Sequence, residues 1–177
     1  MKSISIVGFG RFGKTLYRLI KDDFNITTFD KDIKNIGEIY SSEIIFYAVP
    51  ISQFEKVIKT HHKYFKDNHI LIDVLSVKMH PAKIFKKYLS GNIQALLTHP
   101  MFGPDSSKNG FEGLPLIMDK FMSNEETYKY WKEYFENKKL RVIEMSARDH
   151  DKMAAGSQGL THFIGRLLDA YHFRKTK

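Results

Sequence analysis

Short apolar runs alternate with stretches of helical periodicity along most of the chain. Such runs are typical of strands, and the one at residues 43–50 is typical of a strand buried on both faces. They lie at residues 4–7, 24–30, 43–50, 69–74, 93–98, 114–118 and 140–145. Between them, apolar residues recur every three or four positions, as in amphipathic helices. These stretches lie at residues 14–20, 52–65, 81–89 and 125–136, and a last one runs from Arg148 to about Tyr171.

This alternation predicts a doubly wound α/β fold, with a mostly parallel sheet and right-handed crossovers, followed by a C-terminal helix. Ligands of such sheets bind beyond the carboxyl ends of the strands. Val49-Pro50 close one predicted strand, and Ser76 and His99 follow the ends of two others. We therefore expect these residues at the edge of the sheet where a ligand binds.

The first strand leads directly into a Gly-x-Gly-x-x-Gly sequence, made of Gly8, Phe9, Gly10, Arg11, Phe12 and Gly13. In a dinucleotide site the first glycine makes the turn and the second lets the backbone approach a pyrophosphate. The third lets the helix pack closely on the strand. The free amides and the dipole of the first helical turn would then face the phosphates. We interpret residues 1–147 as a dinucleotide-binding domain of the Rossmann type.

An acid ends the second predicted strand, at about the 20-residue distance expected of a ribose-binding carboxylate. This acid is Asp30, and Lys31 follows it. We assign both residues, together with Val49 and Pro50, to the cofactor site. The alternative is a glycine turn in another kind of α/β unit, with Asp30 capping a helix.

Composition narrows the choice of function. The 177 residues are 42% hydrophobic and 27% charged, as in an ordinary globular chain. The net charge of +8 comes from scattered lysines without a nucleic-acid-binding motif, so we expect no nucleic-acid partner. The absence of cysteine excludes disulfides and thiolate sites. No histidine pair has zinc-site spacing, and no apolar run is long enough for a membrane span. We expect no metal, no membrane partner and a cytoplasmic location.

Two residues are candidates for chemistry. His99 follows an apolar strand and precedes Pro100, and a histidine held there can accept a proton near neutral pH. The alternative is a structural histidine bonded to a neighbouring carbonyl. The Ser76 hydroxyl could bridge a nicotinamide carboxamide and a substrate oxygen, or it could cap the following helix.

Three further segments carry a family resemblance. Residues 71–78 (LIDVLSVK), 98–106 (THPMFGPDS) and 144–162 (EMSARDHD to TH) are similar to segments of the prephenate and arogenate dehydrogenases. With the glycine sequence, the resemblance runs from about residue 3 to about 168. The sequence of these segments is most similar to the plant-type arogenate branch.

The resemblance implies a role for each matched position. His99 would bond the ring 4-hydroxyl of prephenate or arogenate and take its proton as hydride leaves for the nicotinamide. Ser76 would support the histidine, cofactor and substrate. Substrate contacts would come from Ser106, Gln158 and His162. The plant-type branch commonly has Ser-Arg where this chain has Asp30-Lys31, so we expect NAD, with NADP admitted if Lys31 offsets the acid.

The resemblance also implies that residues 148–177 are what remains of a helical dimerisation and substrate domain. The apolar face of this helix then predicts a homodimer. The predicted function is NAD(P)-dependent oxidative decarboxylation in tyrosine biosynthesis. Two alternatives stay open: another small Rossmann oxidoreductase acting on a hydroxy acid or imine, and a non-catalytic NAD(P)-binding module.

Overall fold

The computed structural model describes residues 2–32 and 35–171. Seven strands form one sheet in the order β2-β1-β3-β4-β5-β6-β7. The strands are β1 (Ser3–Val7), β2 (Asn25–Phe29), β3 (Ile44–Tyr47), β4 (Ile70–Asp73), β5 (Gln94–Pro100), β6 (Pro115–Met122) and β7 (Arg141–Glu144). The predicted doubly wound, mostly parallel sheet is confirmed, and all seven strands lie where the apolar runs predict them.

Helices cover both faces of the sheet. They are α1 (Arg11–Ile20), α2 (Ile51–His61), α3 (Met79–Tyr88), α4 (Glu125–Asn137), α5 (Ala147–Ala154) and α6 (Leu160–Ala170). Short 3-10 turns at Ile36–Ser41 and His62–Tyr64 and a π turn at Ala155–Gly159 complete the described elements. Within the described ranges, every helix is too short or too polar to cross a lipid bilayer.

The alternation of side chains along β3 explains the two-layered core. Ile44 and Phe46 pack on one side with residues of α1 and α4, among them Trp131. Ile45 and Tyr47 pack on the other side with residues of α2 and α3. Because successive strand residues point to opposite faces, a four-residue run with no polar member is buried on both sides.

The sheet reverses direction only beyond β5. Strands β1 to β5 are parallel, β6 runs antiparallel to β5, and β7 runs parallel to β6. Pairing with β6 extends β5 through His99 and Pro100, which the sequence places just beyond the strand. His99 is therefore held in the ladder opposite Ile117, and not in a loop. The strand order changes direction between β1 and β3, the place where doubly wound sheets bind ligands.

Candidate active site

The glycine sequence forms a tight turn between β1 and α1. Gly8 has a φ of +97°, and a Cβ added there would lie 2.5 Å from the carbonyl oxygen of Ala48. A Cβ on Gly13 would lie 2.0 Å from the carbonyl oxygen of Gly8. Both positions therefore require glycine for reasons of packing within the chain.

Gly10 differs, because a Cβ added there would meet nothing within 4 Å. It is exposed and precedes the first residue of α1. No side chain caps this helix end, and its first turn carries no acid. The amides of the first turn are thus left for an anion, and a glycine at this point allows that anion to approach the backbone. These features fit a dinucleotide pyrophosphate.

The other predicted cofactor residues lie around this turn. Phe9 packs edge-to-face on Tyr17 of α1. The amide of Gly8 donates to the carbonyl of Phe29, so exposed Asp30 and Lys31 follow β2 beside the turn. The Asp30 carboxylate accepts the amide of Lys31 at 3.0 Å. Val49 and Pro50 connect β3 to α2, next to the Ala48 carbonyl that Gly8 approaches.

The loop after His99 lies against the start of α1. Phe102 contacts Phe12, with 6.3 Å between the ring centroids. Arg11 pairs with Asp105 at 2.9 Å, and both side chains are exposed. Two turns further along α1, Arg18 donates to the carbonyl and hydroxyl oxygens of Ser107. The segment that begins three residues beyond His99 is therefore fixed to the helix that starts at the glycine turn.

His99 is buried, and its partner is another histidine. Its Nδ1 lies 2.8 Å from Nε2 of His150 on α5, and the two rings meet edge-to-face. Burial, then the charge of Lys78 and the neighbouring His150, lower the pKa of His99 to about 4, against a weaker opposing effect of Asp151. The imidazole of His99 is therefore neutral at pH 7. The alternative interpretation, in which His99 is a structural histidine bonded to a neighbouring carbonyl, is wrong for Nδ1, because the partner of Nδ1 is His150.

Ser76 is exposed in the turn between β4 and α3. It does not cap α3, because that helix begins at Met79 and has Lys78 at the N-cap. The cap comes from a distant residue: Asp151 accepts the amides of Lys78 and Met79 at 2.7 and 2.8 Å. The Ser76 hydroxyl is thus not used to begin the helix, and its assignment to catalysis stays a prediction.

A buried ion pair lies beneath Ser76 and His99. The ammonium of Lys78 donates to the Asp73 carboxylate and to the carbonyl of Thr98. Burial raises the pKa of Asp73 and lowers that of Lys78, and the attraction between the two charges opposes both shifts. Asp73 also accepts the amides of Leu75 and Thr98. The pair joins the ends of β4 and β5, which carry the candidate residues.

The structure describes the side chain of one of the three predicted substrate contacts, Ser106. The Ser106 hydroxyl is exposed and bonds the amide and carbonyl of Gly103 within its own loop. The side chains of Gln158 and His162 lie outside the described part of the structure. Among the described residues, no group of three or more His, Asp or Glu side chains could hold a metal ion.

The sequence analysis missed four residues of this site: Asp73, Lys78, His150 and Asp151. Asp73 lies within the apolar run at residues 69–74, and a charge is rarely buried without a partner. Its position was therefore a signal that a buried cation lies nearby. His150 and Asp151 occur in the last matched segment, but nothing in the spacing connects them to His99.

The fold and the glycine turn define a nucleotide-binding domain of the doubly wound class. Residues 20–144 match the family of prephenate dehydrogenase nucleotide-binding domains. The chain belongs to this family.

Comparison with known proteins extends the match over most of the chain. Arogenate dehydrogenase 2, chloroplastic, of Arabidopsis thaliana is 33% identical over 95% of this chain and 53% of its own length. Arogenate dehydrogenase 1, chloroplastic, of the same plant is 32% identical over 98% of this chain and 30% of its own length. A crystal structure of prephenate dehydrogenase from Aquifex aeolicus shares the fold, with a TM-score of 0.81 and 20% identity. That alignment covers 99% of this chain and 73% of the solved one. The chain thus spans about half, or less, of the plant relatives.

Proposed function

We propose that this chain is the cofactor-binding and proton-accepting part of a prephenate or arogenate dehydrogenase. The observation that carries the proposal is the contact between the two halves of the site. Phe12 and Arg11, in the glycine turn and the first turn of α1, contact Phe102 and Asp105, in the loop that follows His99. A dinucleotide on the turn and a substrate at His99 would then share one edge of the sheet.

The chemistry needs orientation, one base and a hydride acceptor. Bound nicotinamide would supply the acceptor. Neutral His99 would accept the proton of the ring hydroxyl while the same carbon loses hydride. The ring carboxylate then leaves as carbon dioxide, and the electrons of the broken bond make the ring aromatic. Because aromatisation is strongly favourable, neither a metal nor a covalent nucleophile is required.

The remaining roles rest on position for Ser76 and Asp30 and on the family resemblance for the substrate contacts. Ser76 is exposed at the end of the β4 segment, where its hydroxyl can support both substrate and cofactor. Ser106, Gln158 and His162 are proposed to contact substrate. Asp30 would accept the ribose hydroxyls and disfavour a 2′-phosphate, so we propose NAD as the preferred cofactor. The Aquifex aeolicus enzyme, whose fold this chain shares, has been solved with NAD+ and hydroxyphenyl propionate.

The test is absorbance at the reduced-nicotinamide band with prephenate or arogenate and NAD or NADP, in all four combinations. We expect reduction with one of the two substrates and faster turnover with NAD. Reduction by neither substrate, together with measurable NAD binding, would favour the non-catalytic alternative. Reduction with an unrelated hydroxy acid or amine would favour another oxidoreductase.

We also propose that residues 148–177 belong to a helical dimerisation region, and that α6 pairs with a second copy of the chain. Large apolar side chains are exposed along this segment: Met153, Leu160, Phe163, Ile164, Leu167, Leu168 and Tyr171. An apolar face of this size is typical of an interface. We expect a dimer in sedimentation velocity and a monomer for Phe163→Glu. A wild-type monomer at working concentration contradicts the proposal.

A location in the cytoplasm and the absence of nucleic-acid and metal partners remain predictions of the composition.

A further inference from the structure

Three side chains form a hydrogen-bonded series that ends at His99. Nδ1 of His99 lies 2.8 Å from Nε2 of His150, and Nδ1 of His150 lies 2.8 Å from an oxygen of Asp151. His150 is buried, with 4% of its surface exposed, so water does not compete freely for its ring nitrogens. The series connects the end of β5 to the first residues of α3, because Asp151 also accepts the amides of Lys78 and Met79.

The chemistry of Asp151 sets the direction of these hydrogen bonds. Burial opposes its ionisation, but hydrogen bonds from the Met79 amide, His150 and the Lys78 amide hold the pKa of Asp151 below its ordinary value. An ionised carboxylate only accepts hydrogen bonds, so Nδ1 of His150 must carry the hydrogen that it shares with Asp151. Nε2 of a neutral His150 is then an acceptor.

The same reasoning applies to the next bond. With Nε2 of His150 as the acceptor, Nδ1 of His99 must carry a hydrogen. A neutral imidazole carries only one, so Nε2 of His99 has a free lone pair. Among the side chains that the structure describes, the charged and titratable groups that face His99 are Lys78, His150 and Asp151. Burial and the Lys78 charge keep its ring neutral at pH 7, so the position of its single hydrogen decides which nitrogen can act as a base.

We propose that His150 is a positioning residue that fixes the Nδ1–H tautomer of His99 and leaves Nε2 as the nitrogen that accepts the proton. The role of Nε2 as a base rests on the proposed function, but the assignment of the His99 tautomer does not. In His–carboxylate pairs of other enzymes, the wrong tautomer of a catalytic histidine costs up to about 10⁴ in kcat. His150 thus acts on the reaction only through His99.

The direct test is nitrogen-15 NMR of the histidine rings at pH 7.5, with His99 assigned by its loss in His99→Asn. Protonated and unprotonated ring nitrogens have well-separated shifts, so the tautomer can be measured without substrate. We expect His99 of the wild-type protein to be protonated at Nδ1 and unprotonated at Nε2. A wild-type protein whose His99 is protonated at Nε2 overturns the proposal, whatever the His150 variants show.

Two variants then separate positioning from packing. His150→Phe keeps a ring but removes the acceptor, and we expect a mixture of His99 tautomers. His150→Gln retains an acceptor oxygen and should keep the Nδ1–H tautomer. Lys152→Gln, an exposed change on the same helix, is the matched control and should leave the His99 signals unchanged. An unaltered tautomer in folded His150→Phe would also overturn the proposal.

Kinetics provides the second measurement. If the chain oxidises prephenate or arogenate, His150→Phe should lower kcat at least about 10-fold, with NAD affinity unchanged and partial recovery in His150→Gln. If the wild-type chain oxidises neither substrate while its His99 is protonated at Nδ1, the proposed function fails and the tautomer assignment stands. Unchanged kcat in His150→Phe would contradict the positioning role.

Discussion

Lys78 and Asp73 form an ion pair in which both side chains are fully buried. The Lys78 ammonium also donates to the carbonyl of Thr98, the residue before His99. One side chain therefore fixes the end of β4 to the end of β5, directly beneath the candidate base. The amides of Leu75 and Thr98 also donate to the Asp73 carboxylate, so both of its oxygens have hydrogen-bond partners within the protein.

We predict that breaking this pair destabilises the fold strongly. Lys78→Met leaves a buried carboxylate without its counter-charge, which costs about 3–5 kcal/mol of the free energy of unfolding. Urea denaturation monitored by Trp131 fluorescence measures the loss. Glu55→Gln breaks the exposed pair between Glu55 and Lys87 and should change the free energy of unfolding far less, because water screens exposed charges. Equal small losses in the two variants would contradict the structural role of the buried pair.

The glycine turn allows cofactor binding to be separated from folding. A methyl group on Gly10 meets no protein atom, so Gly10→Ala should keep its stability while losing at least about 10-fold in NAD affinity. Gly13→Ala should instead destabilise the protein, because its Cβ would lie 2.0 Å from a carbonyl oxygen.

Calorimetric titration with NAD and thermal unfolding measure the two effects. Gly156 is a matched control, because an added Cβ there also meets nothing within 4 Å. Gly156→Ala should keep NAD affinity. Wild-type affinity in Gly10→Ala would show that the pyrophosphate does not approach this turn.

We predict that Asp30 sets the preference between the two nicotinamide cofactors. Its exposed carboxylate follows β2 beside the glycine turn, where it would repel a 2′-phosphate. Asp30→Ser should therefore shift the ratio of NAD to NADP affinities at least about 10-fold toward NADP. Asp32→Ser, an exposed change two residues away, is the control. An unchanged ratio in Asp30→Ser would remove Asp30 from the cofactor site.

Acid should unfold the protein through its buried histidines. Burial lowers the pKa of His61, whose Nδ1 bonds the Tyr40 hydroxyl, to about 4, and His99 has a similar value. Since the unfolded pKa is near 6.5, unfolding takes up protons between pH 6.5 and 4. The stabilisation is thus complete above pH 6.5 and is lost as the pH falls through this window, by at most about 3 kcal/mol for each histidine.

Urea denaturation at several pH values between 7 and 4 measures this slope. His61→Asn removes one of the buried histidines and should flatten the dependence on pH. His62→Asn, at the exposed neighbouring position, should leave the slope unchanged. A wild-type free energy of unfolding that is constant from pH 7 to 4.5 would contradict the burial of neutral histidines.

The fold was predictable because its central strands β3 and β4 are buried on both faces and its helices are apolar on one. The turn at Gly8, Gly10 and Gly13 was predictable because this glycine spacing directly follows an apolar strand, and Gly8 and Gly13 have no room for a Cβ. The antiparallel pairing of β6 with β5 was not predictable, because β6 follows a long loop. This pairing places His99 within the sheet. The bond from His99 to His150 was not predictable either, because it depends on where α5 packs against the end of β5.

The central claim is that a dinucleotide on the glycine turn and a base at His99 act on one substrate. The most direct measurement compares hydride transfer to NAD by the wild-type chain and by His99→Asn, with prephenate or arogenate as substrate. We predict that kcat falls about 10²- to 10⁴-fold, while the Kd for NAD changes less than about twofold. Normal turnover in His99→Asn would contradict the account.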